Sequence, residues 1–443
     1  MIASRRSASQ AAFSVKVDAW IADAIADGVT DYAALLRRLP GIYPTELLAA
    51  LDRLVAQGVI GPAVDALVRC QARKACTNGV EGRSLLPLPH PLDFEWRFTP
   101  DASRALLNQA ASLTPAGGDL LLFGTPGLAA EALTLPIGRR LAFLADTNSV
   151  TDRIFALNHA TGSPLAIAFC NGGLPRESAD AVLLDPPWYL DFIRPMLAAA
   201  AHACRPGGFV LISLPPDGAR PTAEADRHAV VKLGRRLGLT IVEHNPLAIA
   251  YETPFFERNA LRAAGIGTPP QWRRGDLVVF RKLSAPTLLA QGSSQRSRPW
   301  TEVVIGRMRL FIRADGDAPT GETGLASVVS GDVLPTVSRR DRRRGLADAW
   351  TSGNRIFRTD NPQILLDAAI SCAGEATGSG VQPRLWGTLR ERKAVERVAA
   401  ELRDLAALEA AEEAGAPFAM ERGVGWKLSS TMSWSGLKAT HSG

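Results

Sequence analysis

Between residues 119 and 283, short apolar runs alternate with stretches whose apolar side chains recur every three or four positions. The runs predict strands at Leu120–Phe123, Leu141–Ala145, Leu165–Phe169, Ala181–Leu184, Phe209–Leu214, Thr240–Asn245 and Asp276–Arg281. The periodic stretches predict helices at Leu128–Leu133, Val150–His159, Tyr189–Cys204 and Ala225–Leu237, the third stopping at Arg205-Pro206-Gly207-Gly208. Such alternation predicts an α/β domain over 119–284 with a parallel sheet covered on both faces. Ligands of such sheets sit beyond the carboxyl ends of the strands.

The flanks read differently. Helical spacing at Val15–Ile25, a cap at Asp31 for a helix through Leu39, and Pro44-Thr45-Glu46 opening a helix to Gly58 suggest a winged-helix-like helical domain over 1–62. Residues 63–118 read as a connector ending in the aromatic segment His90–Pro100, and the polar stretch within 285–300 as a linker. Beyond it, a hairpin (Glu302–Ile305, Met308–Ile312, turning at Gly306-Arg307) and helices near Gln363–Ser371 and Thr388–Ala414 predict a small α+β domain over 301–425. The Gly/Ser-rich 426–443 segment reads as a disordered tail.

Composition narrows the classes. The 443 residues are 46% hydrophobic and 21% charged, which fits a folded chain of two or three domains and excludes predominant disorder. No apolar run is long enough to span a bilayer, and Met1–Val17 lacks the apolar core of a secretory signal, so the expectation is a cytoplasmic protein without a membrane partner. Five scattered cysteines and six histidines without HxH or HExxH spacing point to neither a disulfide framework nor a metal site. The net charge of +6 matches the excess carried by residues 281–360 alone, with 14 basic and 8 acidic side chains. Only 7 of the 50 basic residues are lysines, a bias that high-GC coding also produces. The cluster Arg339, Arg340, Arg342, Arg343 and Arg344 is therefore a candidate nucleic-acid contact, with a solvated face as its alternative.

The sharpest chemical signal is Asp185-Pro186-Pro187-Trp188, directly after a predicted strand. Two prolines stiffen the turn and aim Asp185 outward from the strand tip. An amine conjugated to a heteroaromatic ring is a poor nucleophile because its lone pair is delocalised. A carboxylate from Asp185 and a carbonyl at Pro186 can accept both of its N–H groups and direct the lone pair, while Trp188 or Tyr189 stacks on the ring. Phe255 and Phe256, after the sixth strand, are candidate substrate contacts, with a core role as the alternative.

With this tetrapeptide after the fourth strand, residues 94–283 resemble class I S-adenosylmethionine-dependent methyltransferases, specifically the amino-methyltransferases with DPPW or DPPY. The resemblance implies a seven-stranded sheet and S-adenosylmethionine as cofactor. It places the cofactor loop at Phe123, Gly124, Thr125 and Gly127, the ribose contact at Asp146 and the adenine contact at Asn171. Asp146 also has the position of a cap for the helix at Val150. The chain is similar as well to the branched-polyamine synthases, which join a winged helix to the same sheet. Their first loop carries a Gly-Asp-Asp-Asp run where this chain has Gly124-Thr125-Pro126-Gly127. The favoured expectation is thus an N-methyltransferase acting on a nucleobase amine of DNA or RNA. Two alternatives stand beside it: an aminopropyltransferase on a polyamine, and a non-catalytic binding module. The N-terminal helices could also form a homo-oligomer contact.

Overall fold

The computed structural model describes residues 2–74, 85–145, 148–162, 165–169, 175–269, 271–284, 300–313, 324–377 and 388–415. Its centre is a seven-stranded sheet of β1 (Asp119–Phe123), β2 (Arg140–Ala145), β3 (Ala166–Phe169), β4 (Ala179–Leu184), β5 (Cys204–Leu214), β6 (Leu239–Ala250) and β7 (Arg274–Lys282). The order across the sheet is β3-β2-β1-β4-β5-β7-β6. Side chains alternate between two cores: Leu120, Leu122, Ala181, Leu183 and Leu211 enter one, Leu121, Val182, Leu184, Val210 and Ile212 the other. Burial on both faces explains why these strands read as unbroken apolar runs. The arrangement is the seven-stranded class I methyltransferase-like sheet. One expectation is corrected: β7 runs antiparallel to both β5 and β6, so the sheet is mixed. A two-period apolar run carries no information about strand direction.

Because β1 lies between β2 and β4, the chain leaves the sheet in opposite directions on either side of the β1–β4 pair. Phe123 pairs with Leu184 at the tips, so Gly124 and Asp185 emerge side by side. This is the switch point at which open α/β sheets bind ligands.

The N-terminal unit contains α1 (Ile2–Ala26), α2 (Tyr32–Arg38), α3 (Pro44–Ala56) and α4 (Pro62–Lys74). Asp31 caps α2 through the N–H of Ala34, as the sequence predicts. No strand occurs among the described residues before β1, and the unit they form there is helical. The connector is corrected too. Val68 and Ala72 of α4 enter the helical core, and α5 (Pro100–Leu113), started by Thr99 as N-cap and Pro100 at its first position, buries Leu106, Leu107 and Ala110 on the sheet.

The C-terminal unit is a five-stranded antiparallel sheet with α11 (Pro362–Thr377) and α12 (Leu389–Glu413). Its hairpin, β8 (Trp300–Ile305) and β9 (Met308–Arg313), turns at Gly306, where φ is +60°. The linker residues 285–299 and the tail 426–443 lie outside the described residues.

Two features weld the units around the switch point. Arg309 of β9, fully buried, donates to Glu302, to Asp93 (2.5 Å) and to the Leu88 carbonyl (3.0 Å). Glu302 in turn accepts from the N–H (3.1 Å) and hydroxyl (2.5 Å) of Ser149, at the start of α7 (Ser149–Thr161). The helix α10 (Phe255–Ala263) is buried on nearly every side. Leu261 joins the N-terminal core, Phe256 meets Trp96, and Asn259 donates to the Gly353 carbonyl of the C-terminal unit at 3.1 Å.

Candidate active site

Asp185 stands at the tip of β4, and the Tyr189 N–H closes the proline turn onto the Pro187 carbonyl at 2.6 Å before α8 (Leu190–Ala203) begins. The Tyr251 hydroxyl donates to Asp185 Oδ1 at 2.7 Å and is itself hydrogen-bonded to the Ser213 hydroxyl. These residues come from the ends of β4, β5 and β6, so only the assembled sheet unites them. Gly275 of β7 allows the approach: a Cβ there would lie 2.8 Å from Ser213 Oγ and 3.1 Å from the Trp188 and Tyr251 rings. Trp188 stands edge-on to Tyr251, with centroids 5.6 Å apart at 88°. Burial pushes the Asp185 carboxyl up to about 8, against the opposing effect of the hydrogen bonds from Tyr251 and Ser213. The Tyr251 hydroxyl is raised well above its ordinary range by burial and by the neighbouring Asp185 charge.

Asp185 lines a pocket of about 240 Å³, at the small end for a ligand site and suited to one planar ring. Three parts of the chain wall it. The helical unit supplies Gly41 and Tyr43; the sheet side supplies Phe94, Trp96, Pro186, Pro187, Trp188, Tyr189, Tyr251, Trp272 and Arg273; the C-terminal unit supplies Thr336, Val337, Ser338 and Arg340. Arg273 pairs with the buried Glu257, which also accepts from Trp96 Nε1 at 2.9 Å. Sequence reasoning missed Ser213, Trp272, Arg273 and Glu257, none of which stands in a motif, and noted Trp96 only as part of the aromatic segment His90–Pro100. Tyr251 stands four residues before Phe255, and only folding reveals its hydrogen bond.

On the β1 side, Phe123 packs on the second core and Gly124 adopts φ +64°. A Cβ on Gly124 would come 2.9 Å from Met196 Cε and 3.8 Å from the Asp185 carbonyl oxygen. Thr125, the N-cap of α6 (Pro126–Ala132), is 4% exposed, yet among the described residues its hydroxyl has no hydrogen-bond partner. Gly127 lies against the stem of Arg97, 3.3 Å from where its Cβ would stand. An open backbone at Gly124 and an orphaned hydroxyl at Thr125 fit the methionine end of a donor lying across the switch point. Asp146 and Asn171 lie outside the described residues.

One expectation is corrected. Phe255 and Phe256 are 2% and 0% exposed within α10 and line no part of the pocket. They are core residues because α10 is clamped by all three units. Of the arginine cluster, Arg344 is largely buried over Phe94 and Trp350 and donates to the Pro91 carbonyl; burial lowers it to about 10. Arg343 is paired with Asp341 at 2.7 Å, and Arg339 with Asp191. Arg340, Arg342 and the Arg343 side chain are exposed. Arg339 and Arg344 thus tie the run to the rest of the chain, while Arg340, Arg342 and Arg343 face solvent.

No family model and no curated protein matches the chain. Among solved structures it is similar to the branched-chain polyamine synthase from Thermus thermophilus, at 14% identity over 62% of this chain and 91% of that one, with a TM-score of 0.46. It is also similar to a putative RNA methyltransferase from Pyrococcus horikoshii (16% identity, 48% and 96% covered, TM-score 0.32). A third is a putative sarcosine dimethylglycine methyltransferase from Galdieria sulphuraria (14%, 42% and 85%, TM-score 0.30).

Proposed function

We propose that this chain is an S-adenosylmethionine-dependent methyltransferase that acts on an amine, namely the exocyclic amine of a nucleobase in DNA or RNA. The observation that carries this reading is the Asp185 carboxyl, held by Tyr251 at the floor of a ring-sized aromatic pocket and beside the Gly124 loop. S-adenosylmethionine supplies a methyl group already activated by its sulfonium. Gly124 and Thr125 would hold its methionine end. Tyr251 engages Oδ1 of Asp185, which leaves Oδ2 to accept an N–H of the amine, and the Pro186 carbonyl accepts the other. With both hydrogens fixed, the nitrogen lone pair is directed across the β1–β4 switch point. Trp188 and Trp96 fix the ring plane and exclude water. The proton the amine gives up goes to Asp185, whose raised affinity for protons suits it to receive one. A base within a duplex would have to be flipped out to reach a pocket of this depth, with Arg340 and Arg342 at the rim for the phosphates.

Calorimetric titration of the purified chain with S-adenosylmethionine and S-adenosylhomocysteine, followed by transfer of labelled methyl to single-stranded DNA and RNA, tests the reading. Micromolar binding of both, and base labelling that Asp185→Ala abolishes, would support it. Absence of binding, or labelling insensitive to Asp185, would overturn it.

A further inference from the structure

The aromatic rings of the pocket already carry cations. Arg273 lies over Trp96 (4.9 Å), Trp272 (4.9 Å) and Trp188 (5.5 Å). Arg220 (5.2 Å) and Arg339 (4.6 Å) both lie over Tyr189, and Arg344 lies 5.5 Å from the Phe94 centroid. Five of the seven aromatic lining residues thus hold a guanidinium, Tyr43 and Tyr251 being the exceptions among the described residues. An aromatic box with a carboxyl at its floor is ordinarily a trap for an ammonium group. Here the trap is occupied by the chain itself.

We infer that Arg273, with the arginines around it, sets the specificity of this pocket: it admits an uncharged planar amine and turns away cationic amines such as polyamines. The inference rests on the acceptor site proposed above and deepens it. A second cation would meet rings whose electron-rich faces are engaged, with Arg220, Arg273 and Arg340 all on the lining. Asp185 is the one carboxyl among the lining residues, and burial disfavours its charged form. Glu257 is spent on Arg273 and is fully buried, while Asp226 and Asp191 are paired with Arg220 and Arg339. Two lining side chains also carry buried polar atoms without a partner among the described residues, Tyr43 Oη and Trp272 Nε1. The indole N–H can only donate, so its partner must accept. A heteroaromatic ring has accepting nitrogens or carbonyls; a protonated alkylamine has none.

The test is calorimetric binding of adenosine and of spermidine to the full chain without methyl donor. Wild type should bind adenosine at least about ten-fold more tightly than spermidine. The paired variant Arg273→Met/Glu257→Gln removes the guanidinium without stranding a buried carboxylate, and should raise spermidine affinity about ten-fold and erase the preference. Arg273→Lys should retain it. If the paired variant loses its circular-dichroism signature, Arg220→Gln replaces it, with a smaller shift expected in the same direction. Spermidine binding as tight as adenosine in wild type, binding of neither, or an unchanged ratio in the folded variant would overturn the inference. Adenosine preference without methyl transfer would sink the proposed activity and leave this inference standing.

Discussion

On the β4 side of the switch point, Asp185, Tyr251 and Ser213 form a chain of hydrogen bonds that needs nothing further from the protein. On the β1 side, a few ångströms away, the Thr125 hydroxyl is buried and unpaired, and Gly124 holds a backbone conformation that costs an ordinary residue about 1–3 kcal/mol. The far wall resembles the second case, with Tyr43 Oη and Trp272 Nε1 unpaired. A buried polar group without a partner costs about 1–3 kcal/mol. The contrast separates a side chain whose partners are already in place from surfaces whose polar groups are left without one: under the proposed function the carboxyl is set in advance, and the rest is satisfied when donor and acceptor bind.

The largest effect should come from the prepared side. Asp185→Ala should lower methyl transfer about 10²–10³-fold in single-turnover assays while donor affinity stays within a few-fold, because only orientation of the amine is lost. The isosteric Asp185→Asn gives a second readout. In the native state this carboxyl titrates near 8 rather than 3.8, so the folded form holds a proton that the unfolded form releases. Stability contributed by this group therefore falls as pH rises from about 4 to about 8, and Asp185→Asn should remove that slope, raising Tm more at pH 8 than at pH 4. An unchanged Tm difference across this window would show that Asp185 is not buried as described.

The next effect belongs to the reserved side. Gly124→Val puts a branched Cβ at φ +64° and against Met196, and should weaken S-adenosylhomocysteine binding about 10–100-fold in calorimetry with adenosine binding intact. Equal losses for both ligands would break the distinction between the two sides. Tyr251→Phe is gentler. Losing the donated hydrogen bond lifts the Asp185 titration above about 8, so the rising limb of the pH–rate profile should move to higher pH and the rate at pH 7 should fall about ten-fold. The Ser213, Arg273 and Glu95 groups that also act on Asp185 are unaltered by the change. A drop in rate without a shift of the profile would make Tyr251 a packing residue. The smallest effect is Thr125→Val, which removes an unsatisfied hydroxyl. It should stabilise the free chain by about 1 kcal/mol in denaturant titration and weaken donor binding a few-fold.

How much of this was readable before folding differs by element. Every predicted strand of the central domain is present; two-sided burial writes an apolar run in β1, β4 and β5, whereas β6 is largely exposed over Thr240–Asn245, and α2 and α3 were marked by Asp31 and Pro44. The helix α5 carried a signal that went unused, Thr99 before Pro100. The helix α10 was not legible, since its Glu257, Arg258 and Asn259 are charged or polar and yet buried by partners from three distant segments. The same holds for Phe255 and Phe256, whose burial depends on what packs over them.

By itself the sequence determined the alternating elements, the stiff turn that presents Asp185 and the glycine at the neighbouring loop, because apolar period, proline geometry and glycine freedom act within a few residues. Only the tertiary structure decided that β7 runs antiparallel, that Tyr251 and Ser213 hold the carboxyl, that Arg273 fills the aromatic box, and that Arg339 and Arg344 are drawn inward while their neighbours face solvent. These depend on hydrogen bonds, ion pairs and burial between residues far apart in the chain, and no local pattern encodes which of many available partners each side chain will meet.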